Sequence, residues 1–316
     1  MSAPVFVPPI KCQGIKTKLV GEIRALAATQ DYERWVEPFC GSCVVPLNLQ
    51  PRRALLCDSN VHIIRLYQDI QSGRLTAPLA KAFLTEEGEK VRTRGEDYFY
   101  EVRERFNASP SALDFLFLNR SCFNGVMRFN RSGKFNVPFC RKPNRFEVKY
   151  VSKITNQLRR IGEVIANKDW AFEAADFRTT LGKAVPGDIV YADPPYAGRH
   201  VDYFNSWSEQ DENDLAELLK RLPCKFILST WHSNEFRTNL LLERNWTGPR
   251  FQLLTRQHFY HVGSTEDLRH PMTEALVTNL SGARSATAQP AMEQMALFDR
   301  PAGHHGNVAS TESGES

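Results

Sequence analysis

Residues 189–196 read Ile189-Val190-Tyr191-Ala192-Asp193-Pro194-Pro195-Tyr196, an apolar run that stops on an acid, two prolines and an aromatic ring. Such a run predicts a buried strand, and in an open α/β sheet ligands and reacting groups collect at the carboxyl ends of the strands. The prolines fix their own φ angles and remove two amide donors, so the carbonyls of the loop point in a rigid direction. An acid, a fixed carbonyl and an aromatic face therefore share one small loop. A plain rigid turn, started by Asp193 and shaped by the prolines, is the alternative reading of these four residues alone.

Around this loop, short apolar runs alternate with helical patterns from residue 11 to 280, which predicts an α/β sheet with helices on its faces. The clearest strands are 54–57, 189–192, 225–230, 251–255 and 274–278. The clearest helices are 18–28, with Leu19, Ile23 and Leu26 on one face, then 61–70, and 209–222 behind the cap-like Ser208 and Asp211. From 77 to about 168 the strand signal fades. Helical stretches at 98–106 and 113–119 lead there into a polar, Asn- and Arg-rich segment, and a smaller inserted domain is the simplest expectation. From 281 onward large apolar residues almost vanish, which predicts a disordered tail with one short apolar cluster at 292–298.

The 316 residues, 42% hydrophobic, suffice for one sizeable core, and the net charge of +4 barely separates a nucleic-acid binder from an ordinary enzyme. Distribution is more telling. Between residues 119 and 149, Arg120, Arg128, Arg131, Lys134, Arg141, Lys142, Arg145 and Lys149 stand against the single acid Glu147. Seven cysteines, an odd number in a chain too long to need staples, predict reduced thiols and a cytoplasmic location. No signal peptide and no membrane-length apolar run is evident.

The parts of the Asp193 loop suit methylation of an aromatic amine. The lone pair of such an amine is delocalised into the ring until its hydrogens are held, and the Asp193 carboxylate and Pro194 carbonyl can each accept one of them. Tyr196 can stack on the base, which requires that the base has left its duplex. Upstream, residues 37–43 (Glu-Pro-Phe-Cys-Gly-Ser-Cys) form a small-residue loop ahead of a helix around 44–49. Asp58 follows Gly41 by 17 residues at the end of a strand. That spacing resembles a nucleotide site in which the loop admits the cofactor and the acid holds ribose hydroxyls, although one glycine is a weak signal. Cys40 and Cys43 form a Cys-x-x-Cys pair. With no second pair and no histidine at ligand spacing, occupation of small-residue positions is preferred over redox or metal chemistry, and no metal site is expected.

Taken in this order, the motifs resemble the Dam family of DNA adenine methyltransferases from about residue 10 to 280. Residues 35–41 are similar to its Phe-x-Gly-x-Gly cofactor motif, Asp58 to its ribose-binding acid, and residues 11–16 to its N-terminal Lys-Trp-x-Gly-Gly-Lys motif. Cys43 stands where the second glycine would be and Cys12 where the tryptophan would be. The resemblance implies S-adenosylmethionine as cofactor, with Cys12, Lys16, Glu37, Phe39, Gly41, Asp58, Asp176, Phe177 and Asp193 around it. It implies Asp193, Pro194, Pro195 and Tyr196 as the catalytic loop. Residues 118–130 and 133–139 are similar to the family's DNA-facing hairpin. There Arg128 matches a guanine reader, Lys11 the reader of the other guanine, and Phe123 an aromatic wedge in the base stack. Val126 and Pro138 match positions at a thymine methyl, and Asn119, Arg120, Asn124 and Asn136 match positions bonding phosphates or bases.

The implied fold is α/β, a Rossmann-like methyltransferase sheet with an inserted small, mainly helical DNA-recognition domain. Its parts would be 1–76 and 169–280 for the methyltransferase, 77–168 for recognition and 281–316 for the tail. The implied activity is transfer of a methyl group to adenine N6 in duplex DNA, within GATC, by a nucleoid-associated monomer working alone or beside a cognate restriction endonuclease. Cytosine N4 methylation and a non-catalytic DNA-binding module with the same fold remain alternatives.

Overall fold

The computed structural model describes residues 4–196, 207–234, 236–259 and 271–280, all within one compact unit, Met1–Ala283. The expected tail, 281–316, lies outside the described residues. The elements run α1 (Val20–Ala27), β1 (Arg34–Glu37), α2 (Val44–Leu49), β2 (Arg53–Asp58), α3 (Val61–Gln71), α4 (Ala77–Arg94), α5 (Glu96–Ala108), α6 (Ala112–Ser121), α7 (Val148–Ile165) and β3 (Asp169–Ala174). They continue with α8 (Phe177–Leu181), β4 (Asp188–Ala192), α9 (Glu209–Arg221), β5 (Lys225–Asn234), α10 (Leu240–Asn245), β6 (Gln252–Phe259) and β7 (Pro271–Thr278).

Among the described residues the strands form one seven-stranded sheet in the order β3-β2-β1-β4-β5-β7-β6. It is parallel except for β7, which runs antiparallel to both β5 and β6. The chain moves outward from β1 to β3 and then returns to lay β4 on the other side of β1. The switch point between β1 and β4 is where a doubly wound sheet opens a crevice at its carboxyl edge.

Successive strand residues alternate between two apolar cores. Trp35, Leu56, Ile189 and Tyr191 pack on one face, and Val36, Leu55, Val190 and Ala192 on the other. Strands buried on both faces read as continuous apolar runs, which is why 54–57 and 189–192 stand out in the sequence. Helix α9 begins at the expected cap. The Ser208 hydroxyl accepts from the Asp211 amide while the Asp211 carboxylate accepts from the Ser208 amide.

Residues 77–168 are mainly helical, as expected, and among the described residues they add no strand to the sheet. Leu84, Phe99, Phe115 and Leu158 of this segment belong to the same apolar cluster as Trp35 and Ile189. Helix α7 presents Val151, Ile154, Leu158, Ile161 and Ile165 as one buried stripe at three- and four-residue spacing. After α6 the chain makes a hairpin. Bridges join Cys122 to Phe139 and Phe129 to Phe135, and the tip folds where the Asn130 amide donates to the Lys134 carbonyl. Phe129, Phe135, Val137 and Phe139 turn inward, leaving Arg128 and Asn136 half-buried and Pro138 exposed.

Candidate active site

The loop of residues 193–196 leaves the carboxyl end of β4 at the switch point. Pro194 is buried and Pro195 half-buried. Asp193 is 19% exposed, and its Oδ1 lies 2.8 Å from the ammonium of Lys16, which is itself buried. Lys16 Nζ also donates to the Gly14 carbonyl and sits 5.0 Å from the centre of the Tyr196 ring. Burial pushes the Asp193 carboxyl up to about 6, against the pull of Lys16 and with a smaller push from Glu274. The Tyr196 hydroxyl donates to Glu274 Oε1 at 3.1 Å. Beneath the loop, Tyr191 stacks on Trp35, whose Nε1 donates to Glu37 Oε1 at 2.7 Å. Glu37 is fully buried, and its carboxyl is raised well above the usual range.

The loop after β1 turns through two left-handed residues, Gly41 (φ 47°) and Cys43 (φ 55°). A side chain is disfavoured in that conformation, so Cys43 keeps a backbone that a glycine adopts more readily. Asp58, at the end of β2, ties the loop down. Its Oδ2 accepts from the Gly41 amide at 2.9 Å and its Oδ1 from the Asn60 amide at 2.8 Å. A Cβ on Gly41 would lie 3.4 Å from the Cys12 sulfur, so residues 12 and 41 are neighbours. The thiols of Cys40 and Cys43 are buried and raised by that burial, the opposite of a reactive redox pair. Asp176 caps α8 by accepting from the Arg178 amide. Phe177 stacks on Phe39 at 5.5 Å, and Trp207 closes on both.

The hairpin is held to the N-terminal segment by a clamp. Asn119, expected to touch DNA, is fully buried, and its side chain is committed to backbone. Its Oδ1 accepts from the Lys11 amide at 2.7 Å, while its Nδ2 donates to the Lys11 carbonyl at 2.9 Å and the Gly125 carbonyl at 3.3 Å. The structure therefore corrects its place to one layer behind the surface. Gly125 has a left-handed φ of 68°, and a Cβ there would overlap the aliphatic stem of Lys11. Arg120, half-buried, donates to the Pro9 carbonyl. Burial, then Arg145 and Arg120, lower the pKa of Lys11. Arg128 Nε donates to Asn136 Oδ1 at 2.9 Å, so Asn136 steadies the guanidinium. Phe123 projects with 55% exposure, and Asn124, left-handed at φ 54°, and Pro138 are exposed beside the half-buried Val126.

A family model described as the D12 class of N6 adenine-specific DNA methyltransferases matches residues 13–262, which takes in the Gly41 loop, the hairpin and the Asp193 loop. The chain belongs to this family. The methyltransferase is similar to the DNA adenine methylase of Serratia marcescens, with 32% identity over 249 residues, 75% of this chain and 85% of the relative. It is also similar to the retron Ec67 DNA adenine methylase of Escherichia coli, 30% identical over 220 residues, 67% of this chain and 71% of the relative. The type II methyltransferase M.MjaIII of Methanocaldococcus jannaschii is 25% identical over 260 residues, 72% of this chain and 86% of the relative. Membership selects adenine N6 over cytosine N4 as the methylated position.

Among its described residues the methyltransferase has no group of three or more His, Cys, Asp or Glu side chains placed to hold a metal ion. None of its described helices is long and apolar enough to cross a membrane. Three features of the enzyme's site escaped the sequence: the Lys16–Asp193 ion pair, the Glu274 contact to Tyr196, and Trp207 on the Phe39–Phe177 pair. Each joins residues far apart in the chain, and neither Glu274 nor Trp207 belongs to a motif of its own.

Proposed function

We propose that this DNA adenine methyltransferase takes its methyl group from S-adenosylmethionine and acts on an adenine turned out of duplex DNA within GATC. The observation that carries this reading is the place of Asp193 at the carboxyl end of β4, beside the crevice bounded by Gly41 and Asp58. The acids Asp58 and Asp193 and the ammonium of Lys16 all act on the buried Cys12 thiol, so acidic side chains outnumber cations at that point of the crevice, which suits a sulfonium cation. When bound, the cofactor supplies an electrophilic methyl group. Asp58 and the Gly41 loop would hold the cofactor's ribose, and the stacked Phe39–Phe177 pair would border its base on one side. Asp193 and the Pro194 carbonyl accept the hydrogens of the target amine, so that its lone pair turns toward the methyl group. Tyr196 stacks on the extruded base, and the space it leaves in the duplex is filled by Phe123.

Recognition is assigned to Arg128 and Lys11 at the two guanines and to Val126 and Pro138 at the thymine methyl. The exposed cations of the hairpin and of residues 141–149 neutralise phosphates. The test is tritiated methyl transfer to duplexes carrying GATC or one of its single-base variants. Methylation of the variants at the GATC rate would remove the sequence assignment, and no incorporation on any duplex would favour a binding module.

Asp58→Ala is expected to weaken S-adenosylmethionine binding about tenfold or more, because the carboxylate both meets the ribose and pins the Gly41 amide. Calorimetric titration checks it, and unchanged affinity rules out the ribose role. Arg128→Ala is expected to relax discrimination at its guanine by roughly tenfold to a hundredfold, the equivalent of about 1–3 kcal/mol. Lys142→Ala, at a phosphate, should weaken binding alike on all sequences and flatten the salt dependence. A uniform loss for Arg128→Ala would leave that arginine only a phosphate role.

A further inference from the structure

We propose that Glu274 is a positioning residue of the methyl-transfer reaction, holding the Tyr196 ring in the catalytic loop by accepting its phenolic hydrogen. The inference rests on Tyr196 being the ring that stacks on the extruded adenine. Glu274 lies on β7, opposite Trp231 of β5 in the antiparallel register, and is 1% exposed. A carboxylate is seldom buried so completely in the interior of a sheet without a partner that needs it. Its Oε1 takes the Tyr196 hydroxyl at 3.1 Å, across 78 residues of sequence. The same ring has the Lys16 ammonium 5.0 Å from its centre, and that ammonium pairs with Asp193. Tyr196 is thus anchored through its hydroxyl to β7 and lies against the cation that pairs with the catalytic acid.

A tyrosine held only by packing could tilt about its χ angles when a flat base arrives. A charge-assisted hydrogen bond at the far end of the ring removes that freedom. Glu274 also adds negative potential at Asp193. The groups facing Asp193 are Lys16 and Cys12 from the N-terminal segment, Glu37 from β1, Tyr191 from β4, Ser229 from β5 and Glu274 from β7. Of these, Lys16 and, less strongly, Ser229 favour ionisation of Asp193, and Glu274 opposes it. Removing the Glu274 charge should therefore move the acidic limb of the rate profile to lower pH, which a merely structural hydrogen bond would not do.

The experiment is single-turnover transfer of a tritiated methyl group to unmethylated genomic DNA across the acidic to neutral range, with melting curves for every variant. Tyr196→Phe and Glu274→Ala should each slow transfer about tenfold with little change in KM for DNA. The double variant should be no slower than either. Glu274→Gln, whose amide oxygen can still accept the phenolic hydrogen, should recover most of the rate lost in Glu274→Ala and shift the acidic limb downward. Losses that multiply in the double variant, or a Glu274→Ala protein that melts earlier but transfers at the wild-type rate, would overturn the proposal. If Glu274→Ala does not fold, Tyr196→Phe and Glu274→Gln decide, and a wild-type rate and profile in both overturns it. Tyr196→Ala separates the two layers. A wild-type rate there removes the base-stacking role itself, whereas a large loss there with multiplying losses in the double variant removes only Glu274.

Discussion

Asp193→Ala is expected to reduce methyl transfer by ~100-fold or more while leaving the fold and most DNA affinity in place. In the proposed mechanism the lost carboxylate accepts from the amine whose positive charge grows in the transition state. It stands ahead of two prolines and is paired with the buried Lys16. The same group sets the pH dependence. With the carboxyl pushed up to about 6, Asp193 is ionised and able to accept above that pH and becomes protonated below it. The transfer rate should then fall about tenfold per pH unit on the acidic side. Lys16→Met removes the cation that holds Asp193 ionised, so its acidic limb should move up toward neutral pH. Rapid-quench methylation with a pH series checks both, alongside filter binding and circular dichroism. An Asp193→Ala enzyme that turns over near the wild-type rate would take Asp193 out of the chemistry.

Asn119→Ala is expected to destabilise the protein by about 2–4 kcal/mol, because the amide satisfies the Lys11 amide, the Lys11 carbonyl and the Gly125 carbonyl at once. Asn119→Asp should be nearly as damaging, since it keeps the acceptor for the Lys11 amide but turns a second acceptor toward two carbonyls. Urea unfolding measures the loss. Sequence discrimination measured on the folded fraction should weaken as well, with Lys11 no longer fixed. A wild-type midpoint for both variants would show that the clamp does not hold the segment.

Much of the sheet was legible because β2 and β4 are buried on both faces and read as unbroken apolar runs. Strand β3 was not, because at the edge of the sheet only Trp170 and Phe172 are buried and charged residues separate them from the next element. The stripe of α7 was present but masked by the Lys and Arg residues of its solvent face. Helix α4 hid for a different reason. Its interior position 88 is a glycine because Phe146 packs where a Cβ would be, and its buried Glu87 is matched by Arg105 and Tyr98 from α5. The loops proposed to be catalytic and to bind the cofactor stood out as local motifs at the carboxyl ends of β4 and β1, where the structure places them. The pairs that give those motifs their electrostatics arise only in the fold: Lys16 with Asp193 when the N-terminal segment meets the loop after β4, and Tyr196 with Glu274 when β4 and β7 flank β5. Asn119 shows the converse. A polar residue beside a basic hairpin looked like a surface contact, whereas three backbone groups claim its amide.

The short stretch from Lys11 to Lys16 touches the hairpin at one end and the catalytic loop at the other, six residues that span two parts of the site. The seat of Lys11 is built partly from Asn119 of α6 and partly from the bare backbone of Gly125, so neither side can change alone without unseating the lysine. As the proposed reader of the target, the hairpin is consequently not self-contained. Grafting residues 122–139 from a relative with a different target sequence should yield an enzyme that folds but reads poorly. Grafting the same hairpin together with that relative's counterpart of residues 9–16 should restore sharp reading. On that reading, a change of target in this enzyme requires two distant stretches of sequence to change together.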